Sequence, residues 1–121
     1  AAKDGSCRLF NGWTLGVWLS QRPEYSIAAT VLYYAARAGN FDLCQANILA
    51  HFAEHDDWVS QLARKKMERA MGKSGCHYQS HDYPGTDHWF AESDRSVEFD
   101  LSAAKQALER DVAFLRASLT R

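Results

Sequence analysis

Apolar residues along this chain form either short unbroken runs or longer runs with helical spacing. The run from Ile27 to Tyr34 is unbroken, apolar and rich in β-forming residues, which is typical of a strand covered on both faces of a sheet. A second run, Asn47 to Phe52, also predicts a strand. The third run, His77 to Tyr83, is more polar and therefore predicts a strand at the edge of the sheet.

Three other segments repeat apolar residues at the spacing of a helix face. Gly12 to Gln21 predicts a first helix, which stops before Pro23. Apolar positions between Val59 and Met71 predict a second helix that ends at the glycines 72 and 75. The segment 36–46, which contains no such pattern, is predicted to be a loop.

The clearest helical pattern runs from Leu101 to Leu119, with Asp100 as its predicted N-cap. A stripe of this kind predicts a helix that packs one face against a sheet. The stripe consists of Leu101, Ala104, Leu108, Val112, Leu115 and Leu119.

Strands alternating with helices predict one α/β domain over residues 1–121, with a short, mostly parallel sheet between two helical layers. If the three strands lie in chain order, Ile27 to Tyr34 forms an open apolar edge. Because open apolar edges pair with other strands, we expect a homodimer that extends the sheet across this edge.

Composition excludes several classes of protein. The 121 residues are 46% hydrophobic and 24% charged, with a formal net charge of −1, so neither nucleic acid nor an anionic membrane surface is an expected partner. No apolar run is long enough to span a bilayer, and no signal-peptide pattern is present. The three cysteines are widely spaced and odd in number, which favours a reduced, cytoplasmic setting.

Candidate chemistry follows the second and third predicted strands. The run from Tyr83 to Phe90 (YPGTDHWF) places His88 just after a Pro-Gly turn, and Asp56 follows the preceding strand. An acid after one strand and a histidine after the next is the chain order of the last two residues of an α/β-hydrolase triad. Asp57 is an alternative to Asp56, although a carboxylate there is equally suited to cap the next helix.

The segment from Ile27 to Leu119 resembles the C-terminal half of the dienelactone hydrolase family, within the α/β-hydrolase fold. The resemblance lies in Ala50 to Val59, in His81 to Phe90, which is similar to the family's Y-P-G-x-x-H-x-F segment, and in the closing helix. It implies that Asp56 and His88 are the acid and the histidine of a triad. It also implies a truncated domain, since family members are about twice this length.

The family's nucleophile lies on a G-x-C-x-G or G-x-S-x-G turn. Gly5 to Leu9 (GSCRL) supplies the first glycine and Cys7, but a leucine replaces the second glycine. Counting back without a gap from Trp13 instead places the nucleophile position on Leu9, which cannot attack a carbonyl. The sequence therefore leaves two alternatives, a nucleophilic Cys7 or a degraded elbow with Cys7 as a free thiol.

Two functions remain open at this stage. The first is a catalytically weak or inactive, dimeric binding module that retains Asp56 and His88. The second is a small carboxylester or lactone hydrolase that uses Cys7, His88 and Asp56, with its site completed across a dimer. In either case Trp58 and Trp89 are the expected walls of a small apolar pocket.

Five histidines raise the question of a metal site. The candidate pairs are His51 with His55, and His77 with His81. Because the sequence has no H-E-x-x-H motif and no tight Cys/His cluster, we expect neither a metal nor another cofactor.

Overall fold

A computed structural model describes residues 7–10, 14–25 and 27–119, and the side chains of residues 17–24 and 27–118. It confirms a three-layer α/β/α architecture around a parallel sheet. The strands are β1 (Cys7–Phe10), β2 (Ala29–Tyr33), β3 (Asn47–His55) and β4 (Tyr78–Asp87). The helices are α1 (Thr14–Ser20), α2 (Gln61–Ser74) and α3 (Leu101–Leu119), with a 3-10 turn at Pro23–Tyr25.

The sheet has one strand more than the sequence predicted. Its order is β1-β2-β3-β4, and all three pairings are parallel. β1 covers the edge of β2 that was expected to be open, so the prediction that this strand pairs with a second copy is wrong. β4 lies at an edge of the described sheet, as its polar sequence predicted.

Each face of the sheet packs on its own helical layer. One apolar cluster joins Val17 of α1, Leu32 of β2 and Met67 of α2. On the opposite face, β2 and β3 pack against Ala103 and Ala107 of α3. Successive residues of the strands therefore point into different clusters, as the two-residue period of a strand requires.

Capping residues set the ends of the helices. The side chain of Ser60 accepts a hydrogen bond from the Ala63 amide at 3.1 Å, which begins α2. The helix continues through Gly72 and ends at Gly75, whose φ of 74° is left-handed. Asp100 caps α3 as predicted, through the Ala103 amide at 3.0 Å. No helix in the described ranges is long and apolar enough to cross a membrane.

A buried polar network joins α3 to the sheet. His51 of β3 is fully buried and contacts Asp111 of α3 (Nε2 to Oδ1, 2.6 Å) and the Tyr83 hydroxyl (Nδ1 to O, 2.7 Å). The Tyr33 hydroxyl donates to the other oxygen of Asp111. Burial and Asp111 together raise the pKa of Tyr33, so its hydroxyl keeps the proton that it donates.

We expect Asp111→Ala to destabilise the protein by roughly 2–4 kcal/mol, because it leaves the His51 and Tyr33 donors buried without an acceptor. Glu109→Ala is the matched control, since Glu109 is exposed on the same helix. Urea denaturation of both variants measures the difference. Equal stabilities would contradict a structural role for the network.

Candidate active site

His88 and Asp56 form a close, largely buried pair at the carboxyl edge of the sheet. Nδ1 of His88 lies 2.7 Å from Oδ2 of Asp56, and their side chains are 11% and 7% exposed. The other oxygen of Asp56 accepts the amides of Trp58 (2.8 Å) and Val59 (2.9 Å), which fixes the carboxylate. Since a carboxylate only accepts hydrogen bonds, Nδ1 of His88 carries the proton and Nε2 can accept one.

A shift in strand pairing brings these two residues level. Ala53 of β3 pairs with Tyr83 of β4, whereas His55 pairs with Asp87. Two residues of β3 (55 − 53) are therefore matched by four of β4 (87 − 83), which is a bulge of two extra residues. Without this bulge, the residue opposite Asp56 would be Thr86 rather than His88.

Side chains of both strands stabilise the bulge. The amide of Gly85 donates to Oε1 of Glu54 at 2.5 Å, and the amide of Glu54 donates to the Thr86 hydroxyl at 3.4 Å. The Thr86 hydroxyl in turn donates to the Tyr83 carbonyl at 2.6 Å. Gly85 has a φ of 73°, which a residue with a side chain adopts only at a cost.

Both non-glycine residues with positive φ in the described chain contact the His88 ring. They are Tyr34 (φ 50°) and Trp89 (φ 73°), whose ring centroids lie 4.9 Å and 4.6 Å from that of His88. The Tyr34 hydroxyl donates to Glu92 at 2.5 Å and accepts from the Ala91 amide at 2.8 Å. Burial and the hydrogen bond to Glu92 raise the pKa of Tyr34, so it remains a donor. Strain of this kind concentrates at functional sites.

A cleft of about 320 Å³ opens beside His88. Trp58 and Trp89 both border it, with ring centroids 5.5 Å apart, and Arg95 stacks on Trp89 at 3.7 Å. The structure therefore brings four of the five predicted site residues together. The remaining lining residues are His55, Asp57, Asp87 and Glu98.

The structure does not bring Cys7 to this pair. Cys7 begins β1 and is level with Ala29 and Asn47, at the amino edge of the sheet. Asp56 lies nine residues beyond Asn47 (56 − 47), about 30 Å along the strand direction. The side chain of Cys7 is outside the described part of the chain, but this backbone position alone is far beyond hydrogen-bonding reach of His88.

The β1–α1 connection contains a pattern that the sequence analysis missed. Gly12 to Gly16 reads Gly-Trp-Thr-Leu-Gly, which is the G-x-nucleophile-x-G spacing with threonine at the central position. β1 ends at Phe10 and α1 begins at Thr14, so the pattern spans a strand-to-helix connection at the carboxyl end of a strand. The two glycines four residues apart, at the start of the predicted helix, were the available signal.

His51 and His55, the first of the two candidate metal-binding pairs, lie in different surroundings. Within the described ranges, no three side chains of histidine, cysteine, aspartate or glutamate are grouped closely enough to hold a metal ion. His51 belongs to the buried network, and His55 is an exposed neighbour of Glu54 at 3.8 Å.

Alanine substitution at two glycines tests the bulge, because the two changes are expected to shift the stability in opposite directions. A Cβ added at Gly85 or at Gly72 contacts nothing within 4 Å, so only the backbone conformation differs between the sites. We expect Gly85→Ala to cost about 1 kcal/mol of stability and Gly72→Ala, inside α2, to gain roughly 0.5–1 kcal/mol. Urea denaturation measures both, and a neutral or stabilising Gly85→Ala would contradict the left-handed bulge.

Comparisons with known proteins show a family match and a similar fold. The model of the dienelactone hydrolase family matches residues 10–119. A solved structure from Klebsiella pneumoniae subsp. pneumoniae MGH 78578, assigned as a candidate dienelactone hydrolase, superposes with a TM-score of 0.74 at 18% identity, over 89% of this chain and 51% of that one. The chain thus spans about half the length of this relative, and no curated protein sequence matches it. The protein belongs to the dienelactone hydrolase family.

Proposed function

We propose that the protein hydrolyses small carboxylic esters or lactones, with His88 as general base, Asp56 as its partner and Thr14 as nucleophile. The observation that carries the proposal is the 2.7 Å contact between Nδ1 of His88 and Oδ2 of Asp56. A pair in this arrangement holds the imidazole in one tautomer and stabilises the imidazolium that forms during acyl transfer.

In this mechanism Nε2 of His88 takes the proton of the Thr14 hydroxyl as its oxygen attacks the ester carbonyl. The alcohol leaves with the proton that His88 returns, and a threonyl ester remains. Water then attacks this ester and His88 takes a proton from the water. His88 passes that proton to the Thr14 oxygen as the bond between this oxygen and the acyl carbon breaks, and the carboxylic acid is released. The Trp58 and Val59 amides hold the Asp56 carboxylate in place beside the imidazolium.

Thr14 replaces Cys7 in this role because of its place in the chain. It lies between Gly12 and Gly16 and begins α1, the first helix after the strand that neighbours β2. Small flanking residues allow a sharp strand-to-helix turn, which is the reason for the two glycines of a nucleophile elbow. A secondary hydroxyl is more hindered than the serine or cysteine expected in the family, so we expect slow turnover.

The cleft supports a small substrate with an apolar group. Its volume of about 320 Å³ is at the lower end for ligand sites. Trp58, which is 70% exposed, and Trp89 offer ring faces on one side of His88. A short-chain aryl ester therefore matches the cleft better than a long acyl chain.

Hydrolysis of a short-chain nitrophenyl ester tests the assignment. We expect His88→Ala and Thr14→Ala to reduce kcat/KM by about 100-fold or to background, while Thr14→Ser raises it severalfold by removing the methyl group. Cys7→Ser is the control and should leave the rate unchanged. Loss of activity in Cys7→Ser with a normal rate in Thr14→Ala would refute Thr14 as the nucleophile.

A second candidate function is a homodimeric binding module with little or no catalysis. Leu101, Leu108 and Val112 are exposed on α3, and two of them line a cleft of about 390 Å³ with Tyr33. Several large apolar side chains exposed on one helix favour association.

Light scattering across a range of protein concentrations tests this second candidate. We expect a dimer for the parent and a monomer for Leu108→Glu, because the new carboxylate would be buried in the interface. Leu43→Glu is the control, since Leu43 is equally exposed (65%, against 60% for Leu108) but lies in the β2–β3 loop. A parent that is monomeric at every concentration would exclude this function.

A further inference from the structure

Two cysteines that are far apart in sequence meet at the amino edge of the sheet. The sulfur atoms of Cys44 and Cys76 lie 3.3 Å apart, and both side chains are half-buried. Cys44 lies in the loop before β3, and Cys76 lies between α2 and β4. From this juxtaposition we propose that Cys44 and Cys76 are a redox-modification site, a dithiol that closes reversibly to a disulfide.

Local structure holds each cysteine at this edge. The Cys44 amide donates to the Phe41 carbonyl at 3.0 Å, within the turn that leads into β3. The left-handed Gly75 ends α2 and directs Cys76 back toward the sheet, where its amide donates to the Met71 carbonyl at 3.2 Å. Both sulfur atoms are therefore positioned by backbone contacts, and side-chain rotation can close the remaining gap to a disulfide.

The two thiols differ in their chemistry. The hydrogen bond from Cys76 lowers the pKa of Cys44 to about 7, whereas the same contact and burial raise the pKa of Cys76. These directions favour Cys44 as the first of the two thiols to lose its proton. A thiolate is the nucleophile of thiol–disulfide exchange, so Cys44 reacts first and Cys76 resolves.

The oxidant in this step is a small disulfide such as oxidised glutathione. The Cys44 thiolate attacks one sulfur of that disulfide, a glutathione thiolate leaves, and a mixed disulfide remains on Cys44. Cys76 then loses its proton and attacks the Cys44 sulfur, which releases the second glutathione. The protein loses two electrons, oxidised glutathione gains them, and two molecules of reduced glutathione result.

The position of the pair gives the disulfide a structural consequence. β3 begins three residues after Cys44 and leads to Asp56, and β4 begins two residues after Cys76 and leads to His88. The separation is twelve residues in both cases (56 − 44 and 88 − 76). A bond between the cysteines would therefore join the amino ends of the two strands that lead to the acid and the base. The same ends are already joined by a backbone hydrogen bond, in which the Ile48 amide donates to the His77 carbonyl at 2.8 Å.

Intact mass in glutathione buffers of graded potential tests the proposal, in a Cys7→Ser background that removes the third thiol. We expect the parent to lose the mass of two hydrogen atoms and to regain it with dithiothreitol. The melting temperature should rise by roughly 5–15 °C on oxidation, since the bond closes a long loop. Exchange of the Ile48 amide should slow in the same sample.

Single variants distinguish the two thiols. Cys76→Ser should stop at one glutathionyl group on Cys44, while Cys44→Ser should react much more slowly. Cys44→Ala and Cys76→Ala repeat the comparison if serine disturbs the fold. The proposal is overturned if the parent stays reduced in buffers that contain mostly oxidised glutathione. It is also overturned if the parent carries two glutathionyl groups without an internal disulfide. Neither result depends on ester hydrolysis.

Discussion

The pairing of β3 with β4, including its two-residue bulge, is the constraint on which the candidate site depends. Parallel pairing alone brings the carboxyl ends of both strands to one edge of the sheet. It does not make Asp56 and His88 level, because regular pairing would continue from Ala53 and Tyr83 to Asp56 and Thr86. The extra residues around Gly85 correct this offset, and the hydrogen bond between Glu54 and Gly85 holds them in place.

Much of the architecture could be predicted from the pattern of the chain. The strands from Ile27 and Asn47 and the helix from Leu101 to Leu119 were located by local sequence. The predicted packing face of that helix was wrong, however, because Leu101, Leu108 and Val112 are exposed and Ala103 and Ala107 pack on the sheet. β1 was missed because four residues that include Arg8 do not form an apolar run, and only pairing with β2 makes them a strand. β3 extends three residues beyond its prediction for the same reason, since His55 pairs with Asp87.

The site shows a similar division between local and long-range information. Asp56 and His88 were identified by chain order, which is local to each strand end. Cys7 was selected by residue type, and its level in the sheet, opposite Asn47 rather than near Asp56, depends on pairing that no local pattern encodes. The bulge, the strained Tyr34 and the meeting of Cys44 with Cys76 are also products of tertiary contact, across separations of more than thirty residues in the case of the cysteines.

The two faces of the sheet support the site in different ways. The face toward α2 is an apolar cluster that includes Phe52 and Met67, and its packing is not directional. The face toward α3 includes His51, Tyr83 and Asp111, whose hydrogen bonds fix distances and angles. Tyr83 is also the last β4 residue paired before the bulge, so the network fixes the strand at the point from which the chain turns toward His88.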